Sequence, residues 1–209
     1  MSSRLQELAQ QRARFEVAAD EERCELCAEP IAPEHRHLLD LESRRLLCAC
    51  RACSILFDRS GAGGGHYRLV PGRVRLLEDL DLDDMVWQSF DIPVDMAFFF
   101  HSSAAGRVVA FYPSPLGATE SLLDVEALEE VAVLGELEPD VEALFVNRTK
   151  GRREHWILPV DRCYELVGLV RTHWRGFTGG DELWTALDAF FDRLRKEATW
   201  QGSRSASPT

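Results

Sequence analysis

The sequence predicts an α+β protein in which a small four-cysteine unit precedes a larger domain built on an antiparallel sheet. Three observations predict it. Five of the six cysteines fall between Cys24 and Cys53. Runs rich in β-branched and aromatic residues recur in pairs about short turns, the pattern of hairpins. Helix-like segments separate those pairs without a regular strand-helix-strand repeat, so a parallel sheet is not expected. With 209 residues and 45% apolar composition, the chain is long enough to bury a core of its own.

Taken in order, residues 1–20 form an amphipathic helix, with Leu5, Leu8, Arg12 and Phe15 at near-helical spacing. Residues 21–62 make up the cysteine unit. Inside it "HLLDLESRRLLCAC" reads as two strands folded about Glu42-Ser43-Arg44. The glycine-rich stretch "DRSGAGGGHY" then breaks the chain, which places the domain boundary near residue 63. The α+β domain occupies residues 63–200. It opens with a hairpin about Pro71-Gly72, then a short helix in "LDLDDMVWQSF" entered through an acidic first turn. "DMAFFFHS" and "RVVAFYPS" pair about the turn at Ser103–Gly106, and "SLLDVEALEEVAVL" follows as a helix. "DVEALFVNR" and "EHWILPV" form the last hairpin. Two helices close the domain, one capped by Asp161, the other starting near Asp181 with Trp184, Leu187, Phe191 and Leu194 along one face. Residues 201–209 read as a disordered tail.

The chemistry of the chain concentrates in two C-x-x-C pairs, Cys24 with Cys27 and Cys50 with Cys53, separated by 22 residues. A C-x-x-C turn bends two thiolates toward one point, and a second such turn delivered by a hairpin completes the tetrahedron that zinc or a single iron prefers. The predicted ligands are therefore Cys24, Cys27, Cys50 and Cys53, in a zinc-ribbon-like or rubredoxin-like unit. Cys48 lies two positions before Cys50 on the same strand, so it is a candidate fifth ligand and, alternatively, a small buried hydrophobe or a redox partner that ejects the ion. His35 and His37 are candidate substitutes. Zinc is expected over iron because Ala28 and Ser54 stand where iron knuckles usually carry glycine.

Other features carry less. Cys163 sits in the first turn of a helix with His155 and His173 nearby in sequence, the layout of a thiol enzyme, but its apolar neighbours Tyr164, Val167 and Val170 favour a core position. "GAGGGH" lacks the lysine and hydroxyl of a phosphate loop. Asn147-Arg148-Thr149 matches a glycosylation pattern with no secretory signal beside it. His101 reads as a turn residue, and Trp174, Arg175, Phe177 and Trp184 as a packed helix corner or, alternatively, a docking patch.

The net charge of −11 argues against nucleic acid. The charge is uneven, since residues 1–60 carry nine Arg against eleven acidic residues, and Arg44, Arg45 and Arg51 form only a short basic patch. No stretch approaches the roughly 18 apolar residues that cross a bilayer, and membrane insertion is not expected. The polar N-terminus implies the cytoplasm, a reducing compartment where clustered cysteines serve metals more often than disulfides.

The motifs "RCELC", "HRHLLDLESRRLLCACRAC", "YRLVP", "SSAAGRVVAFYPSPLGATES", "ELEPDVEALFVNR" and "EHWILPVDRCYELVGLVRTHWRG" resemble an uncharacterised bacterial family, over about residues 22–195. Members of that family are often encoded beside nickel-iron hydrogenase genes. The resemblance implies an accessory role and a protein partner, a hydrogenase or its assembly machinery, and it implies no reaction and no catalytic residue. The reading is thus a metal-binding accessory protein holding zinc. The alternative is a rubredoxin-like electron carrier with one iron in the same four thiolates.

Overall fold

The structure, a computed structural model, describes residues 22–58, 65–78, 80, 82–121, 132–176 and 179–205. The helix expected over residues 1–20, most of the one expected in "SLLDVEALEEVAVL", and Phe177 lie outside them. The chain divides into two compact units, Met1–Leu69 and Val70–Thr209.

In the first unit, β1 (Arg36–Asp40) and β2 (Arg45–Ala49) pair antiparallel with His37 opposite Cys48 and Leu38 opposite Leu47. The turn between them forms because Asp40 Oδ1 accepts from the backbone N–H of Glu42 and Ser43, at 3.0 and 3.2 Å. A hydrogen bond from the Ser43 side chain, and after it these backbone donors, hold the Asp40 carboxyl below its usual range. Helix α1 (Arg51–Phe57) follows β2 directly. Strand β3 (Tyr67–Leu69) adds to the free edge of β1. Among the described residues the buried core of this unit is small: Cys24, Leu38, Ala49 and Cys53, with Leu26, Ile31, Phe57 and Leu69 packed against it, and Leu39 and Leu47 also buried.

The hairpin expected about Pro71-Gly72 does not form. Its first arm is β3, and its second, β4 (Arg75–Leu77), pairs with a strand of the other unit. A lone two-stranded hairpin of such short arms is marginal, and each arm gains more by joining a larger sheet, where its leucines are partly buried. The division between units therefore follows Leu69 and not the glycine run.

The second unit is a six-stranded antiparallel sheet in the order β4-β9-β8-β5-β6-β7. Its strands are β4, β5 (Met96–Ser102), β6 (Arg107–Ser114), β7 (Gly117–Glu120), β8 (Glu142–Asn147) and β9 (Glu154–Pro159). The β5-β6 and β8-β9 hairpins pair as the sequence predicts. Both faces are covered, so every residue of β8 is buried. On one face Ala97, Phe99, Leu144, Val146 and Ile157 pack with Trp87 and Phe90 of the α2 region (α2, Asp84–Ser89) and with Leu134 and Leu137 around a 3-10 turn, Ala132–Glu136. On the other lie α3 (Val160–His173) and α4 (Gly180–Ser205), with Phe98 against Tyr164 and Phe145 against Phe191.

Three helix details differ from expectation. Helix α3 starts at Val160, straight out of β9, because Pro159 already has a φ of −63° and has no N–H to satisfy; Asp161 sits inside the first turn. In α4 the buried stripe is Leu183, Leu187, Phe190, Phe191 and Leu194, while Trp184 turns to the flank, where Lys150 lies 5.1 Å over its ring. Helix α4 also runs to Ser205, into the expected tail, since the first residue that forbids a helix interior is Pro208. Its entry needs Gly179: at φ +88° a side chain is strained, and a Cβ would stand 2.6 Å from Leu183. Among the described residues no helix is long and apolar enough to cross a membrane.

Candidate metal centre

The first C-x-x-C pair lies in a tight loop. The N–H of Cys24 donates to Glu29 O and that of Ala28 to Cys24 O, both at 2.8 Å, and an Arg23-Pro30 bridge closes the loop. Ala28 takes a φ of +63°, the left-handed conformation glycine would adopt at least cost. Glu25 fastens this loop to β2: its N–H donates to Cys48 O at 2.9 Å, and its carboxylate accepts from Cys48 N–H at 2.7 Å. The first pair is thereby held beside the end of β2, where the second begins.

The second pair is built differently. Cys50 is extended (φ −67°, ψ 163°) and caps α1, its sulfur accepting from the Cys53 N–H at 3.4 Å. Cys53 sits within the first helical turn, which returns its side chain to the face of the cap. The two pairs are thus borne by a loop and by a helix cap, because the chain turns into helix at Cys50.

The four sulfurs of Cys24, Cys27, Cys50 and Cys53 all lie within 4.8 Å of one another, and Cys27 Sγ is 3.7 Å from Cys50 Sγ. A tetrahedron of sulfurs about an ion at roughly 2.3 Å has edges of about 3.8 Å, so the group can hold a metal ion. Cys24 and Cys53 are buried, while Cys27 is exposed. Burial works against ionising Cys24, but N–H donors of Cys50, Leu26 and Cys27 outweigh it and bring the thiol down to about 6. Cys53 moves far the other way, pushed up by burial and by hydrogen bonds with the neighbouring thiols Cys27, Cys50 and Cys24. At Cys27 the Glu29 N–H favours the thiolate, yet the bond to Cys24 and the remaining contacts leave it raised. The Cys24 thiolate forms readily, whereas Cys53, mainly through its burial, and Cys27 resist ionising. A bound cation offsets that resistance.

Cys48, a candidate fifth ligand from sequence, is not gathered into this group, and neither are His35 and His37. Those three form a second group, a ring nitrogen of each histidine and the Cys48 sulfur lying within 4.8 Å of one another. Strand alternation puts Cys48 on the face of β2 away from the buried Leu47 and Ala49, opposite His37. The predicted sharing of a face with Cys50 fails because β2 ends at Ala49. The signal was present in "HRH", whose histidines are spaced to share one face of a strand.

The other candidates resolve simply. Cys163 is wholly buried, and burial with the charge of Asp161 pushes its thiol well above the ordinary value, the opposite of an activated nucleophile. We predict that in native protein stripped of metal, a soluble thiol reagent labels Cys27 fast and Cys163 only on unfolding; rapid labelling of Cys163 by peptide mapping would contradict this. His101 is exposed on β5, its carbonyl accepting from the Asp140 N–H at 2.9 Å. Trp174 Nε1 donates to Gly176 O at 2.8 Å, and Arg175 reaches the carbonyls of Thr172 and Trp174, so these residues close the α3-α4 corner. Arg45 of the short basic patch pairs with Glu25 at 3.4 Å.

Residues 23–198, which include both cysteine pairs and most of both units, match a family of unknown function, DUF5947. No curated protein and no solved structure matches the chain significantly.

Proposed function

The chain belongs to the DUF5947 family of unknown function, and from that premise we propose that it is a metal-binding accessory protein whose Cys24, Cys27, Cys50 and Cys53 hold a structural zinc ion. The observation that carries this reading is the convergence of the four sulfurs within 4.8 Å on a loop-hairpin-helix frame. Four thiolates leave no open position for catalysis. Ala28 and Ser54 stand where iron knuckles usually carry glycine, which supports zinc. The cytoplasm, with thiols kept reduced, suits such a site.

The accessory role completes the reading. Helix α1, which carries Cys53, also exposes Ile55 and Leu56, at 61% and 58%. Adjacent exposed apolar side chains on a metal-braced helix suit a protein partner, and the family resemblance makes a nickel-iron hydrogenase or its assembly machinery the partner to test. A second reading has one observation in its favour: Cys27 is exposed and receives an N–H bond from Glu29, as suits an edge through which an iron centre passes electrons.

Protein made in medium supplying both metals separates the two readings. A colourless product containing zinc is expected; aerobic protein with ferric-thiolate absorption in the visible would transfer the assignment to electron carriage. The same zinc-loaded preparation, mixed with purified hydrogenase subunits and assembly proteins, is expected to form a complex that Ile55→Glu weakens. Equal retention of wild type and Ile55→Glu would remove α1 as the docking element.

A further inference from the structure

We propose that His35, His37 and Cys48 form a second metal site, separate from the four-cysteine cluster, that binds a zinc-class transition-metal ion through two imidazoles and one thiolate with one coordination position open. The three donor atoms lie within 4.8 Å of one another, close enough for one ion to reach all three. The frame is rigid where it matters. His37 and Cys48 are directly opposed across the β1-β2 ladder, and His35 packs edge-on against His37 with ring centroids 4.8 Å apart.

His35 supplies the independent observation. Its Nδ1 lies 3.0 Å from the carbonyl oxygen of Ala32 and 3.4 Å from a carboxylate oxygen of Glu22. Neither oxygen can donate, so Nδ1 carries the proton. The lone pair is then on Nε2. That atom is buried, has no hydrogen-bond partner, and belongs to a side chain only 9% exposed. A buried acceptor without a donor is costly and rare. Metal-bound histidines show this same division, one nitrogen tied to a carbonyl or carboxylate and the other on the ion. The Ala32 carbonyl and the Glu22 carboxylate are thus the outer supports of a ligand whose inner partner is a cation.

The donor set separates this site chemically from its neighbour. Four thiolates make a closed site, whereas two imidazoles and one thiolate leave room for water or a donor from another molecule. His37 and Cys48 are each partly exposed, so that position faces solvent. A site of this kind binds its ion more weakly and can exchange it. The proposal does not depend on the four-cysteine reading, since the two sites share no ligand.

The test is a titration of reduced, metal-free full-length protein with Zn(II) against a chromophoric chelator, repeated with Co(II) to read thiolate-to-cobalt absorption. Wild type is expected to take up two equivalents, the second more weakly, and His37→Ala and Cys48→Ser one each, while Cys50→Ser, which also loosens the β1-β2 frame, is expected to lose both. His37→Asn, the milder change, guards against misfolding in the alanine variant, with circular dichroism as the check. Undiminished uptake in both His37 variants would overturn the site. So would a loss confined to Cys48→Ser, which would assign Cys48 to the four-cysteine ion. If wild type takes one equivalent that His37→Ala and Cys48→Ser retain and Cys50→Ser loses, this site is absent and the four-cysteine reading stands. One equivalent that survives Cys50→Ser but not His37→Ala or Cys48→Ser would leave this site standing alone.

Discussion

Replacing Cys50 with serine is expected to cost the protein both zinc equivalents and most of the order of residues 22–69, while residues 70–209 stay folded. Among the described residues, two of the four in the first unit's core cluster are themselves cysteines of the metal group, Cys24 and Cys53, beside Leu38 and Ala49, and the other buried apolar side chains there are Leu39 and Leu47. A unit of that size buries too little apolar surface to offset its chain entropy. Structural zinc contributes roughly 10–16 kcal/mol in comparable small units, so losing the ion removes most of what opposes unfolding. Serine at position 50 can still accept from the Cys53 N–H and cap α1, so the effect isolates the loss of the ion. Elemental analysis and residue-resolved amide exchange check both halves. Full occupancy in the variant would show that the ligands were misassigned, and an ordered first unit without metal would show that its core stands unaided. The four ligands all belong to the first unit, so the amides of the second should keep their protection.

The second large effect is confined to that second unit. Phe145→Ala is expected to destabilise it by about 4 kcal/mol and to lower its melting temperature by roughly 10 °C. Phe145 is fully buried at the middle of β8, the strand flanked by β5 and β9, and its ring packs on Phe191 of α4. Removing it opens a void between sheet and helix that neighbours in a close-packed layer cannot fill. Leu116→Ala, at a residue 94% exposed, is the control and should change stability by less than about 0.5 kcal/mol. Calorimetry compares them. A Phe145→Ala variant as stable as the control would mean that α4 does not pack on the sheet as described. Zinc content should be unchanged in both.

Much of this molecule was legible in the chain. The hairpins around Glu42-Ser43-Arg44 and Ser103–Gly106 could be read because turn residues separate runs of strand-forming residues, a local signal. The four cysteines could be paired because C-x-x-C turns are short and self-contained. Reading failed where partners are distant. Nothing around Pro71-Gly72 says that its two arms join different sheets, β3 on β1 and β4 on β9, because the residues that receive them lie far along the chain. Trp184 and Leu183 are equally apolar neighbours on a helix, and only the packed sheet decides which one is buried.

The sequence by itself determined the donors: which side chains carry sulfur and imidazole, and that two close-spaced cysteine pairs flank a hairpin. Only the tertiary structure decided how those donors are shared out. The end of β2 at Ala49 starts a helix at Cys50 and sends its sulfur to Cys24, Cys27 and Cys53, while the β1-β2 register sets Cys48 against His37. The physical reason is that ligand grouping is a matter of direction. Side chains alternate across a strand and realign at a helix cap, so one residue of shift in register or strand length redistributes the ligands without changing a single spacing in the chain.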